Sequence, residues 1–174
     1  MKNEINKIRE TLIKIGGEIK RRGLKVLQVE AKKSIDLNFN QGGRPEKWTP
    51  KVFNDRRAIL TGKTGNLQIR TTAVINESEG KIVIGNKLPY GKIHNEGGKI
   101  AKTLKMRAFF WAMYYASGGG KKGVEDSGDA LIYKKMALSK NDINIPKREY
   151  LIIPSSDFPR ILNNMERVIK TIRV

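Results

Sequence analysis

The chain carries one histidine, His94, and it stands two positions before a carboxylate in His94-Asn95-Glu96. Such a pair is the kind that ligates a metal or moves a proton. A metal-dependent nuclease of the HNH type needs several imidazole or carboxylate ligands converging on one ion, and here there is no second histidine to share acid–base work. His94 therefore reads as a turn histidine that hydrogen-bonds backbone. The carboxylates lead the same way. Glu125, Asp126 and Asp129 lie in or beside a Gly-rich stretch and read as caps of a following helix, and Asp55 pairs with its neighbours Arg56 and Arg57. Gly62-Lys63-Thr64 lacks the upstream glycine of a phosphate-binding loop and follows no buried strand. No serine sits in a Gly-x-Ser-x-Gly elbow, and there is no dinucleotide fingerprint. With no cysteine, thiolate chemistry, disulfides and cysteine-based zinc sites are excluded. The expectation is a protein that is not an enzyme and takes no cofactor and no metal.

Charge is the unusual property. The 174 residues hold 35 Lys+Arg against 17 Asp+Glu, a net +18. Such an excess implies a polyanionic neighbour, either nucleic acid or an acidic protein surface. The basic residues run from Lys2 to Arg173 without a dense tail, which predicts a broad basic face and not a basic arm. No RNP strand, zinc finger or helix-turn-helix is recognisable. The length is that of one domain, 1–174, with a real core. Residues 1–22 carry charge in every turn and do not read as a signal peptide, and the longest apolar run, 109–116, is too short to span a bilayer. No membrane partner is expected.

The elements that must position these residues follow from periodicity. Ile5, Ile8, Leu12, Ile15 and Ile19 recur at three and four and predict a helix from Asn3 to about Ile35, with Leu24, Leu27 and Ala31 resuming the stripe. Gly16, Gly17 and Gly23 interrupt it, each costing about 1 kcal/mol against alanine, so a bend or break is expected near Gly23. An amphipathic helix packed on its own domain is the expected arrangement, with packing on a neighbouring subunit the alternative. Residues 39–50 read as a loop punctuated by Gly42-Gly43-Arg44-Pro45 and plugged into the core by Trp48. Arg44 has a second reading as a phosphate contact. A tight turn over 60–67 leads to a strand in which Ile69, Thr71, Ala73 and Ile75 alternate with Arg70, Thr72 and Val74. Asn76 to Gly80 turns it back into a strand over Lys81–Gly85.

That strand feeds Pro89-Tyr90-Gly91-Lys92-Ile93-His94-Asn95-Glu96-Gly97-Gly98, read as a corner, one helical turn and a Gly-Gly stop. Tyr90 and Ile93 share a face of that turn. Beyond it, Phe109, Phe110, Trp111, Tyr114 and their neighbours predict a helix apolar almost all round. A flexible Gly-rich tip over 117–123 and a second helix from Asp129 to Lys140 complete a helical hairpin, inserted at about 101–144. Its aromatic run reads as core or a patch buried against a partner, with base stacking as the alternative. Residues 143–153 are extended, with Pro146 marking an edge strand or a loop entering one. Ser156 or Asp157 can cap a last helix, with Pro159 in its first turn; Phe158, Ile161, Leu162, Met165, Val168, Ile169 and Ile172 form its buried stripe, and Lys170 and Arg173 suit its C-terminal end. The fold class is α+β, a small antiparallel β-sheet packed against a long N-terminal and a C-terminal helix.

The order of these landmarks is itself informative. A long first helix is followed by Gly42-Gly43-Arg44-Pro45 with Trp48, then Leu60-Thr61-Gly62 and Thr64-Gly65-Asn66-Leu67. After them come Val83-Ile84-Gly85, the Pro89–Gly98 segment, Ile145-Pro146-Lys147-Arg148-Glu149-Tyr150-Leu151 and a closing helix. This order resembles the phage virion morphogenesis family, the Mu protein G-like tail-completion proteins, over nearly the whole chain. Gly91 stands where the family often has alanine, and Glu149-Tyr150 where Pro-Phe is common. The resemblance implies a non-enzymatic assembly protein that finishes the head-proximal end of a tail and helps join it to the head. It further implies location in the virion tail or neck, and in the bacterial host cytoplasm during assembly. Partners would be other tail or connector proteins, a homo-oligomeric ring, and non-specific contact with DNA. The expected partner-facing residues are Tyr90, Ile93, His94, Phe109, Phe110, Trp111, Tyr114, Pro146, Arg148 and Tyr150. The competing expectation is a basic nucleic-acid-binding protein.

Overall fold

The computed structural model describes residues 2–52, 57–61, 64–123 and 125–172. The pairing expected of Asp55, the Gly62-Lys63 part of the turn and Arg173 lie outside them. The elements run α1 (Lys2–Gln41), α2 (Asn66–Ile69), β1 (Thr71–Asn76), β2 (Lys81–Asn86), α3 (Gly91–Glu96), β3 (Gly98–Ile100), α4 (Leu104–Ala116), α5 (Gly128–Leu138), β4 (Ile143–Ile145) and α6 (Phe158–Lys170), with a 3-10 turn at Ser155–Asp157. The α+β class expected from the sequence is what forms. The strands make two separate antiparallel pairs, β1 with β2 and β3 with β4.

Helix α1 runs unbroken past Gly23, where a bend or break was expected. Gly23 is buried, and a Cβ there would lie 3.7 Å from Met165 Cε on α6. The glycine lets α6 lie close against α1, and that packing offsets its poor helix propensity. From Leu24 onward α1 is a core helix, burying Leu24, Ala31, Ile35 and Phe39. Its N-terminal half departs from expectation. Of the stripe there, Ile5, Ile8, Leu12 and Ile19 are exposed and Ile15 is partly buried, so this half of the stripe stays outside the core.

The β1–β2 hairpin has the expected turn and inward face. Thr71 and Ala73 are buried while Thr72 and Val74 point out, and Gln28 Nε2 on α1 donates to Ala73 O at 2.7 Å. Ile69 belongs to α2, not to the strand, because Gly65 at φ 63° starts a helical turn that ends at Arg70. Pairs β3 and β4 form a stem, with Ile100 opposite Ile143. The hairpin of α4 and α5 therefore leaves the domain through its own two-stranded base, Gly98–Ile100 with Ile143–Ile145. Lys102 Nζ closes that base by donating to Met136 O and Ser139 O, both at 2.9 Å, at the carbonyl-rich end of α5.

The core gathers Ile35, Phe39, Trp48, Leu67 and Tyr150. Trp48 meets Phe39 edge-on at 5.7 Å, the plug expected of it. Beside this core lies a buried polar cluster. Arg44 Nη1 and Nη2 donate to Asp157 Oδ1 and Oδ2 at 2.9 and 2.7 Å, Nε donates to Asn38 Oδ1 at 2.9 Å, and Ser34 Oγ donates to Asp157. Arg44 is thus a structural ion-pair residue, and its phosphate-contact reading falls away. Asp157 precedes α6 but does not cap it with its side chain, because both oxygens are engaged by Arg44 and Ser34. The α6 stripe also splits. Ile161 is buried and Met165 and Val168 are partly so, whereas Phe158, Leu162 and Ile169 face solvent.

The Arg44 guanidinium, then the Ser34 hydroxyl, hold the Asp157 carboxyl below its ordinary value against the cost of burial. A carboxyl depressed in the folded state stabilises above its unfolded value, near 3.8, and loses that contribution as pH falls through the folded value. Urea unfolding of wild type from pH 7 down to 2.5 will show this acid-side loss. Arg44→Met leaves the buried carboxylate with only the Ser34 hydroxyl and Arg160, whose Nη2 lies 3.5 Å away, and should cost about 3 kcal/mol at pH 7. Asp157→Asn should remove the Asp157 share of the acid-side loss, leaving that of other lowered carboxyls such as Asp126.

Candidate interaction surfaces

The segment Lys147–Ile152 brings the expected residues together, although it forms no ladder. Six of its backbone groups pair with side chains and loops. Arg148 N donates to His94 O at 2.9 Å. Tyr150 N and Leu151 N donate to Asn95 Oδ1 at 3.1 and 3.0 Å. Asn38 Nδ2 donates to Tyr150 O and Ile152 O at 3.0 and 2.8 Å. Trp48 Nε1 donates to Glu149 O at 3.4 Å. Tyr150 is fully buried, and its hydroxyl donates to Gly91 O at 3.3 Å. Tyr150 was expected on a partner-facing surface; it is the core residue that holds the segment in place. Asn38 and Asn95 were not singled out from the sequence. Their only signal is position, one on the buried face of α1 and one between His94 and the Gly-Gly stop.

Helix α3 is the turn expected at Tyr90–Glu96. Gly97 ends it at φ 76°, and a Cβ there would lie 2.9 Å from Lys147 N. Gly98, at φ 154°, packs against Ile93. Ile93 is partly buried on that side and Pro146 is partly buried at the start of the segment.

Tyr90, His94 and Arg148 line one pocket of about 350 Å³, together with Leu60, Thr61 and Asn66. Arg148 is buried, with Nε donating to Thr49 O at 3.1 Å and Nη2 to Pro50 O at 3.3 Å. His94 Nδ1 is buried without a hydrogen-bond partner, so the backbone bond expected of the ring is not made there. Tyr90 meets the imidazole edge-on at 6.1 Å. Burial first, and the Arg148 charge second, push the imidazole below its ordinary value, and burial lowers Arg148 as well. The pocket lining sets the imidazole beside the basic Lys51 and Arg148 and the hydroxyls of Thr61, Thr64 and Tyr90. Among the described residues no group of three or more His, Asp or Glu residues could hold a metal ion, and no helix is long and apolar enough to cross a membrane.

The hairpin divides its aromatics. Phe110 and Tyr114, expected to face a partner, are buried and pack the hairpin itself. Tyr114 stands over the tip: a Cβ on Gly119 would lie 2.1 Å from its ring, and Gly119 N donates to Tyr114 O at 3.0 Å. Asp126 does not cap α5. It accepts from Tyr114 Oη at 2.9 Å, Lys134 Nζ at 2.6 Å and Gly120 N at 3.3 Å, joining both helices and the tip. Within the tip expected to be flexible, these bonds engage the amides of Gly119 and Gly120. Trp111 is partly buried, and Phe109, Leu104, Tyr115 and Leu138 face solvent.

Comparison of the chain with protein-family models, with curated proteins and with solved structures finds no significant match.

His94 gives a single imidazole signal, so its titration is unambiguous by ¹H–¹⁵N NMR. The folded protein should titrate below 6.5. Between that value and 6.5 the unfolded chain binds more protons, so stability should fall as pH drops through the window. His94→Asn should remove that part of the dependence. Gly97→Ala should destabilise by about 1–3 kcal/mol in urea melts, through a positive φ and a clash with backbone.

Proposed function

We propose that the chain is a phage structural protein that completes the head-proximal end of a tail and helps join it to the head. Its partners in this reading are tail or connector proteins, with a homo-oligomeric ring in the virion and assembly in the host cytoplasm. The observation that carries the reading is spatial. Gly42–Pro45, Trp48, Tyr90–Gly98 and Ile145–Leu151 lie up to 109 residues apart in the chain, yet they pack into one unit through Trp48, Asn95 and Tyr150. An ordered set of motifs that builds one core is what a shared fold leaves in a sequence. Exposed apolar side chains on α1, α4 and α6 and the +18 charge support work by surface burial against acidic partners.

The charge also favours a second reading, a basic nucleic-acid-binding protein. The two separate cleanly. Deleting the gene from its phage or prophage should leave filled heads and unjoined tails in negative-stain electron microscopy. Empty heads, or no particles at all, overturn the assembly reading. Under the second reading the purified protein binds DNA tightly, and log K falls steeply and linearly with log salt.

A further inference from the structure

The exposed half of α1 follows a pattern narrower than amphipathicity. Ile5, Ile8, Leu12, Ile15 and Ile19 are spaced three, four, three and four. That is a strict heptad repeat, with Ile5, Leu12 and Ile19 at a and Ile8 and Ile15 at d. A helix lying on a globular core shows a broader apolar face, so a seam this narrow fits a coiled coil. The charged side chains Lys7, Glu10, Lys14, Lys20 and Arg21 stay off the seam, at b, c and f.

The rest of the domain leaves the first part of the seam bare, while Ile15 is partly buried and Ile19 is 37% exposed. The tip of the β1–β2 hairpin reaches α1 at Lys20, whose Cε would lie 3.4 Å from a Cβ on Gly80, and α6 reaches it at Gly23. N-terminal to these points Ile5, Ile8 and Leu12 are each more than 60% exposed. The seam is about 21 Å long at 1.5 Å per residue. A helix this short that carries two adjacent glycines is marginal in water unless its apolar face is covered.

The residue choice names the occupant. Isoleucine at d, with isoleucine or leucine at a, favours three or four parallel strands over two. In a parallel bundle the g-position Glu4 of one helix meets the e-position Arg9 of the next, an opposite-charge pair. The antiparallel register that sets Ile5 against Ile15 and Ile8 against Leu12 places Glu4 against Glu18, a like-charge pair. We propose that residues 4–19 of α1 are the oligomerisation element of this protein, assembling three or four copies as a parallel coiled coil. The domains splay outward from that bundle, beginning where α6 and the β-hairpin meet α1. The proposal stands on the seam and does not rest on the tail-completion reading.

The test is sedimentation equilibrium of the full chain at 10–200 µM in 0.3 M salt, where repulsion between the basic domains is screened. Wild type should sediment as three or four chains. Ile8→Asp with Ile15→Asp should sediment as a monomer and keep the single His94 NMR signal of the folded domain. Ile13→Asp, at position b, should leave the assembly intact. Because the chain has no cysteine, Leu12→Cys should oxidise to a cross-linked pair of chains well over tenfold faster than Ile13→Cys. A monomeric or dimeric wild type overturns the proposal. So do equal cross-linking at the two positions and an assembly that survives the double aspartate variant.

Discussion

The fold depends on one extended segment that has no strand to pair with. Residues 147–152 run through the middle of the domain, where an unpaired backbone N–H or C=O would cost as much as a lost hydrogen bond. Two asparagines resolve this. Asn95 Oδ1 accepts from two successive backbone amides, and Asn38 Nδ2 donates to two carbonyls of the same segment. Each asparagine is itself fixed, Asn95 by the turn of α3 and Asn38 by the buried face of α1. The segment therefore clamps α1, α3 and the Trp48 loop together without a sheet. Tyr150 and Phe39, with ring centroids 5.2 Å apart, fill the space the clamp encloses.

A second set of bonds anchors the closing helix. The Arg44–Asp157 pair joins the Gly-Gly turn after α1 to the start of α6, and Glu30 with Arg160 and Asn164 repeats the link one helical turn or more toward the N-terminus of α1. Both pairs are largely buried, where an unpaired member would be strongly destabilising. They hold the α1–α6 angle more by charge and hydrogen bonding than by apolar bulk. Only Ile161 of α6 is fully inside. This explains why Phe158, Leu162 and Ile169 can face outward without loss of the helix's position.

The regular elements were legible because their periods are local. The β1–β2 hairpin, α3, the Gly97 stop, the α4–α5 hairpin and α6 all announce themselves by alternation, helical spacing or turn residues within about ten positions. What could not be read was which apolar stripe is covered. The seam of α1 and the outer face of α6 look as buried in sequence as Ile35 and Phe39 do, since burial is set by distant elements and not by the stripe itself. Tyr150 illustrates the converse. An aromatic in a Pro-rich extended run suits a contact surface equally well, and only the 91–95 and 38–48 segments, far away in the chain, turn it inward. The asparagines were silent for the same reason, because an amide's role is fixed by which backbone it meets.

The division of labour that results bears on where specificity can reside. Gly43, Trp48, Gly97 and Tyr150 are fixed by close approach: a Cβ on Gly43 would lie 2.6 Å from Trp48 N, and one on Gly97 2.9 Å from Lys147 N. Residues under such constraint define the domain and cannot vary to suit a partner. The free half of α1, the outer face of α6 and the exposed Leu104, Phe109 and Tyr115 of the hairpin carry no such constraint. They are apolar nonetheless, in a chain whose net +18 charge keeps separate domains apart. Association through a narrow apolar seam on a long helix meets both conditions at once. In the proposed bundle the chains meet at a point about 30 Å from the domain body, at most, along α1, where fewer of the basic side chains crowd one another.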